Sequence, residues 1–364
     1  MYKFLRGVLY AFLTLLLLSA AVAVYLLYLD GRAPAPRPDL VRLPADAPEP
    51  PRGFPTMNMG YLYFGLGWLD LIDHKGNIPI PEGVVEEKDI EYGRVGDRAL
   101  QLDLYYPKGL TEPATTLLFI HGGGWSSGDR SDYKYYTVRF AQKGYVVATA
   151  GYRMKGEAPF PAAVQDIKCA VRWLHANADK YHIDPDRIVP IGGSAGGHLA
   201  MMAGYADDVP TLAPQCGLDG VSSKVAAVVD LYGPSDLTVP DARDNATVTT
   251  FIKKSYADAP DLYALASPLK HLDKNDPPTL IVQGTIDNIV PPAQSDLLAE
   301  RLQELGIPYW YDRIEGMPHT LDIIRANNER VQWLIEHFLE EFVNKPRGVA
   351  PVTQPASAES APAG

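Results

Sequence analysis

Cysteine is almost missing from this chain: two residues, Cys169 and Cys216, in 364. Two cysteines cannot make a disulfide scaffold, and neither lies in a Cys-x-x-Cys or Cys/His pattern at metal-ligand spacing, so no structural zinc is expected. Basic charge is also short. Against 44 acidic residues stand 33 Lys and Arg, a net charge of −11 and the wrong sign for holding a phosphate backbone, so nucleic acid is excluded as a partner. No internal repeat is found, which removes solenoids and propellers. Apolar residues are not lacking: at 46% they suffice for a sizeable core and exclude disorder throughout.

Long apolar runs are confined to one place. Gly7 to Leu29 passes without a charge, interrupted only by the hydroxyls of Thr14 and Ser19, and a helix of that length spans a hydrocarbon layer of ~30 Å. Lys3 and Arg6 precede it and place the rest of the chain on the non-cytoplasmic side. Ala21-Val22-Ala23 resembles a signal-peptidase site, but the run continues past it to Leu29. Residues 1–29 are therefore expected to be an uncleaved transmembrane anchor, with secretion after signal cleavage as the alternative.

Eight prolines between Pro34 and Pro55 make 30–56 an expected extended spacer. Residues 57–79 are aromatic at their start (Tyr61, Tyr63, Phe64, Trp68), as befits a covering helix or a segment at the membrane interface. Residues 346–364 have no periodicity and are expected to be disordered. Between these, 80–345 alternates β-rich runs with amphipathic stretches, the pattern of an α/β domain: a mostly parallel sheet with helices on both faces. Eight strands are predicted, at 84–92, 100–106, 116–120, 145–150, 187–191, 225–231, 279–283 and 308–313.

The fifth strand runs at once into Gly192-Gly193-Ser194-Ala195-Gly196-Gly197-His198, a Gly-x-Ser-x-Gly turn between strand and helix that exposes a serine hydroxyl above the sheet. The third ends in His121-Gly122-Gly123-Gly124-Trp125, where bare backbone N–H groups can converge on an anion. It lacks the Gly-Lys-Ser/Thr ending of a nucleotide loop. A serine nucleophile needs a histidine base oriented by a carboxylate, in the chain order Ser, acid, His. Of the histidines after Ser194 (198, 271, 319, 337) only His319 lies in a loop just past the last strand. The acid should follow the preceding strand, which nominates Asp287, with Asp230 and Asp236 in reserve.

These residues resemble the α/β-hydrolase superfamily, in its His-Gly-Gly-Gly branch of hormone-sensitive-lipase-like carboxylesterases. Gly-Gly-Ser-Ala-Gly-Gly-His is most similar to bacterial acetyl- and feruloyl-esterase-like proteins, and the likeness continues through Tyr152-Arg153, Phe160-Pro161-Ala162-Ala163, Asp166 and Ala170–Leu174. The resemblance implies Ser194 as nucleophile, Asp287 and His319 as its partners, the N–H groups of Gly123, Gly124 and Ala195 as oxyanion hole, and Trp125 and Tyr152 as candidates for the substrate pocket. It implies hydrolysis of a small-molecule carboxylic ester through an acyl-enzyme, with neither metal nor organic cofactor. Amide or formamide hydrolysis on the same fold is the alternative; a binding protein that lost the chemistry is disfavoured because all three triad positions are filled. Thr285 and Met317-Pro318 depart from the family pattern. Cys169 and Cys216 are read as either a disulfide or two buried thiols, and 234–268 as a possible lid insertion.

Overall fold

The structure, a computed structural model, describes residues 2–25, 34–73, 78–207, 209–214 and 216–345. The strands are β1 (Val84–Val95), β2 (Arg98–Pro107), β3 (Ala114–Ile120), β4 (Val146–Ala150), β5 (Ile183–Gly193), β6 (Val228–Leu231), β7 (Thr279–Gly284) and β8 (Tyr309–Ile314). They form one sheet in the order β1-β2-β4-β3-β5-β6-β7-β8. β1, β2 and β4 pair antiparallel, and every pair from β4 to β8 is parallel. Each predicted strand is present. β5 begins earlier than expected because Ile183 pairs with Ala114 before the register slips and Ile188 joins Thr116.

The helices are α1 (Tyr2–Val24), α2 (Met57–Gly65), α3 (Lys134–Gln142), α4 (Ala162–Ala176), α5 (Ala178–Tyr181), α6 (Ala195–Tyr205), α7 (Pro240–Arg243), α8 (Ala246–Ile252), α9 (Pro260–Leu265), α10 (Ala293–Leu305) and α11 (Arg325–Leu339). Successive side chains of a strand point to opposite faces, so the sheet carries two cores. Leu118 and Ile120 join Ile167, Leu174, Leu199 and Leu298 from α4, α6 and α10. Leu117 and Phe119, one residue out of phase, join Tyr136, Phe140, Leu334 and Phe338 from α3 and α11. This is the α/β-hydrolase architecture.

Cys169 on α4 is disulfide-bonded to Cys216, which resolves the open pairing. From Arg6 to Val24, α1 is exposed, and this stretch is long and apolar enough to cross a membrane by length and composition. The end of the apolar run at 26–29 and the tail 346–364 lie outside the described residues.

The Pro-rich stretch departs from the expected free spacer. Leu40 is buried, Arg42 makes an antiparallel bridge with Tyr311 on the outer edge of β8, and Arg37 pairs with Glu300 of α10 at 2.8 Å. The Phe54 N–H donates to the Gly316 carbonyl at 2.8 Å. Its prolines keep this stretch extended, and the unfilled edge of β8 gives an extended chain a place to pair.

Candidate active site

Three loops at the carboxyl ends of β5, β7 and β8 meet at one point, where ligands of open α/β sheets bind. Ser194 is the N-cap residue of α6 and stands at φ 57°, ψ −123°. That strained backbone requires strand and helix to approach closely. A Cβ on Gly192 would lie 2.3 Å from the Gly196 carbonyl carbon, and one on Gly196 would lie 2.0 Å from the Ile120 carbonyl oxygen, so neither position admits a side chain.

The hydroxyl of Ser194 lies 3.0 Å from His319 Nε2, and His319 Nδ1 lies 2.6 Å from Asp287 Oδ2. A carboxylate only accepts, so the proton sits on Nδ1 and Nε2 is free to take one from the serine. Asp287 is held by further donors: Gln283 Nε2 at 3.2 Å and the N–H groups of Ile289 and Val290, each at 2.9 Å. The two departures from the family pattern stitch the acid and histidine loops together. Thr285 Oγ1 accepts from the Gly316 N–H at 2.8 Å, and the buried Met317 offers its carbonyl to the Ile286 N–H at 3.1 Å.

The reserve acids stand elsewhere. Asp230 is wholly buried with a single donor, the Gly233 N–H at 2.9 Å, and burial pushes its carboxyl well above the usual range. Asp236 pairs with Lys270 at 2.7 Å. His198 lies buried against Trp125 and Phe251 with Nε2 on the Ala266 carbonyl; desolvation lowers it to about 4, so it stays neutral.

The His121–Trp125 loop turns back over Ser194 through left-handed backbone at Gly123 (φ 96°), Gly124 (φ 59°) and Trp125 (φ 56°). The Gly123 carbonyl accepts from Ser126 and Ser127 and is thereby turned away. The N–H groups of Gly123, Gly124 and Ala195 make no intramolecular hydrogen bond among the described residues, and all three residues line cavities that open on Ser194.

Two cavities flank the serine. The smaller, about 160 Å³, is mostly apolar and walled by Trp125, Ala242, Val248 and Val290, so the insertion 234–268 supplies one side of it. The larger, about 430 Å³, is floored by Tyr133, Tyr136, Tyr232 and Asp322, a group that sequence reading missed. Tyr136 and Tyr232 donate to Asp322, and the Tyr232 ring stands edge-on to His319 with centroids 4.8 Å apart. Burial raises the Asp322 carboxyl, and the two tyrosine hydroxyls hold part of that rise back. A bigger cleft of about 710 Å³ lies at the amino ends of β5, β6 and β7, far from Ser194.

Tyr152 requires a correction: it lines neither cavity beside Ser194. Its ring stacks on His121 behind the loop, and its hydroxyl donates to the His121 carbonyl at 3.0 Å. The glycine loop has no side chains of its own to fill its rear, so a tyrosine packs there as a support.

A Ser-His-Asp hydrogen-bond line on a strand-turn-helix elbow defines an α/β hydrolase. Residues 102–302 match the BD-FAE family model, and the chain belongs to that family. Esterase LipC of Mycobacterium tuberculosis is 30% identical over 248 residues, which is 66% of this chain and 61% of the relative. The chain spans about three fifths of the length of three such curated relatives. Among solved structures, the butyrate-bound esterase Est2 of Thermogutta terrifontis superposes with TM-score 0.62 at 26% identity, covering 73% of this chain and 97% of Est2. A truncated carbohydrate esterase from gut microbiota superposes equally well, at 26% identity over 74% of this chain and 98% of its own.

Proposed function

We propose that this chain is a membrane-tethered serine carboxylesterase acting on short-acyl esters. The observation that carries the reading is the line from Asp287 through His319 to Ser194 beside unbonded N–H groups. His319 takes the Ser194 proton as Oγ attacks the ester carbonyl; the carbonyl oxygen becomes an anion facing the N–H groups of Gly123, Gly124 and Ala195. Collapse breaks the bond to the alcohol, which leaves with the proton held on His319. Water, deprotonated by the same imidazole, then cleaves the acyl-serine and frees the acid.

The 160 Å³ cavity suits a short acyl group, and the larger 430 Å³ cavity, with tyrosines and Asp322 in its floor, suits the alcohol. The butyrate- and propionate-bound forms of Est2 support a short acyl group. Across p-nitrophenyl esters from acetate to palmitate, kcat/KM is expected to peak at acetate to butyrate. Ser194→Ala should abolish turnover, about 10⁴-fold or more, and labelling by a fluorophosphonate. Preference for palmitate would reject the division, and labelling of the alanine variant would reject the nucleophile.

For location, the apolar helix behind Lys3 and Arg6 and the Cys169–Cys216 disulfide support the same reading: an uncleaved anchor with the domain on the oxidising, non-cytoplasmic side. Protease added to spheroplasts should digest the domain; protection would reverse the orientation.

A further inference from the structure

Beyond α1 and the adjoining Tyr25, every exposed large apolar side chain among the described residues except Val41 lies in one patch: Tyr61, Leu62, Phe64, Leu66, Trp68 and Ile289. Single exposed apolar residues are ordinary, but six gathered together mark an interaction surface. From Gly53 to Leu69 the chain carries no Asp, Glu, Lys or Arg, although 21% of the whole protein is charged. α2 turns Met57 and Gly60 inward and leaves Tyr61 and Phe64 more than half exposed; Trp68 is 64% exposed.

The patch rims the active site. Asn288, next to Asp287, donates to the Tyr61 hydroxyl at 3.4 Å, and Ile289 lines both cavities beside Ser194. Leu71 bridges to Ile324 just past the His319 loop, and Ile72 lines the larger cavity.

We infer that this patch docks on the membrane that α1 enters and holds the mouth of the site at headgroup depth, so that the substrates are amphiphiles carrying a short-acyl ester there. The inference rests on the proposed anchoring and ester hydrolysis. Arg37 is already paired with Glu300 on the domain, so at most the 12 residues between Val24 and Arg37 can act as tether; at ~3.4 Å each they reach about 40 Å. The domain therefore stays near the bilayer whatever its orientation. Tyr, Trp and Phe are the residues that settle at the water–lipid boundary. The net charge of −11 argues for a zwitterionic surface over an anionic one.

The test uses the full chain in phosphatidylcholine vesicles, with hexadecyl acetate as bilayer-borne ester and p-nitrophenyl acetate as soluble one. Trp68 emission, isolated by subtracting the Trp68→Phe protein, should be quenched by lipids spin-labelled near the headgroup. Phe64→Ser with Leu66→Ser should remove that quenching and lower kcat/KM for hexadecyl acetate about tenfold while p-nitrophenyl acetate changes less than about twofold. Unquenched Trp68 in the wild type overturns the inference, as does an equal fall on both esters or a dimer in detergent that the double variant abolishes. Failure of the underlying readings looks different: protein lost to a carbonate wash denies the anchor, and an inert wild type on both esters denies the chemistry.

Discussion

At the carboxyl ends of the adjacent strands β6 and β7 the chain buries aspartates in opposite surroundings. Asp287, after β7, sits among the donors of His319, Gln283, Ile289 and Val290, a set that suits a carboxylate able only to accept. Asp230, at the end of β6, has one donor, and its Oδ2 finds no partner. Both are buried, but four donors surround Asp287 and one reaches Asp230, whose carboxyl burial pushes toward its neutral form. Asp236, six residues further on, is a third case. Burial pushes it up, but hydrogen bonds from Lys270 and Thr238 outweigh that and bring it below its ordinary value.

The contrast is sharpest at Asp287. Asp287→Asn should lower kcat by about 10³ to 10⁴ while the fold persists, because the amide favours the wrong imidazole tautomer. Turnover within a few-fold of wild type would hand the role to another carboxyl and break the comparison. Next is Asp322, which faces His319 past the edge of Tyr232. Asp322→Asn should cost about tenfold in kcat with KM changed less, because the hydroxyl of Tyr232, whose ring stands against His319, loses the carboxylate it donates to. A loss of thermal stability with kcat unchanged would reduce Asp322 to packing. Asp236→Asn should leave kinetics alone and cost about 1 kcal/mol in urea denaturation, the worth of its charged hydrogen bonds.

At Asp230 the effect is on the pH dependence of stability alone. Its folded pKa is raised, so the folded state binds the proton more tightly and the wild type loses stability as pH climbs from the unfolded value toward the folded one. Asp230→Asn keeps the acceptor for the Gly233 N–H but has no proton to lose. Its Tm relative to wild type should therefore rise as pH climbs above the ordinary carboxylate range, with activity unchanged. A flat difference would show that Asp230 ionises in the fold as it does in the open chain.

What sequence reveals follows the same division. The meeting of Ser194, His319 and Asp287 was legible because each lies in a loop just past a predicted strand, and chain order then left few choices. The floor of Tyr133, Tyr136, Tyr232 and Asp322 was not, since its members come from three segments far apart in the chain and touch only in the folded molecule. Tyr152 misled for a related reason: it follows the end of β4 beside the site, but the stacking on His121 that turns it to the rear is a tertiary contact. Cys169 and Cys216 are 47 residues apart, a spacing compatible with pairing or with none.

The bridge between Arg42 and Tyr311 has a consequence for how the protein stays apart from its own copies. β8 is the last strand of the sheet, and a bare last strand offers its N–H and C=O groups to any passing chain. Here one residue pair closes it, while Pro38 and Pro44 to either side have no N–H with which to extend the ladder. The cover can neither grow into a ninth strand nor recruit another. A soluble form cut ahead of Arg37 keeps this seal, whereas one cut beyond Leu43 folds with an open template and is expected to stack edge to edge at high concentration.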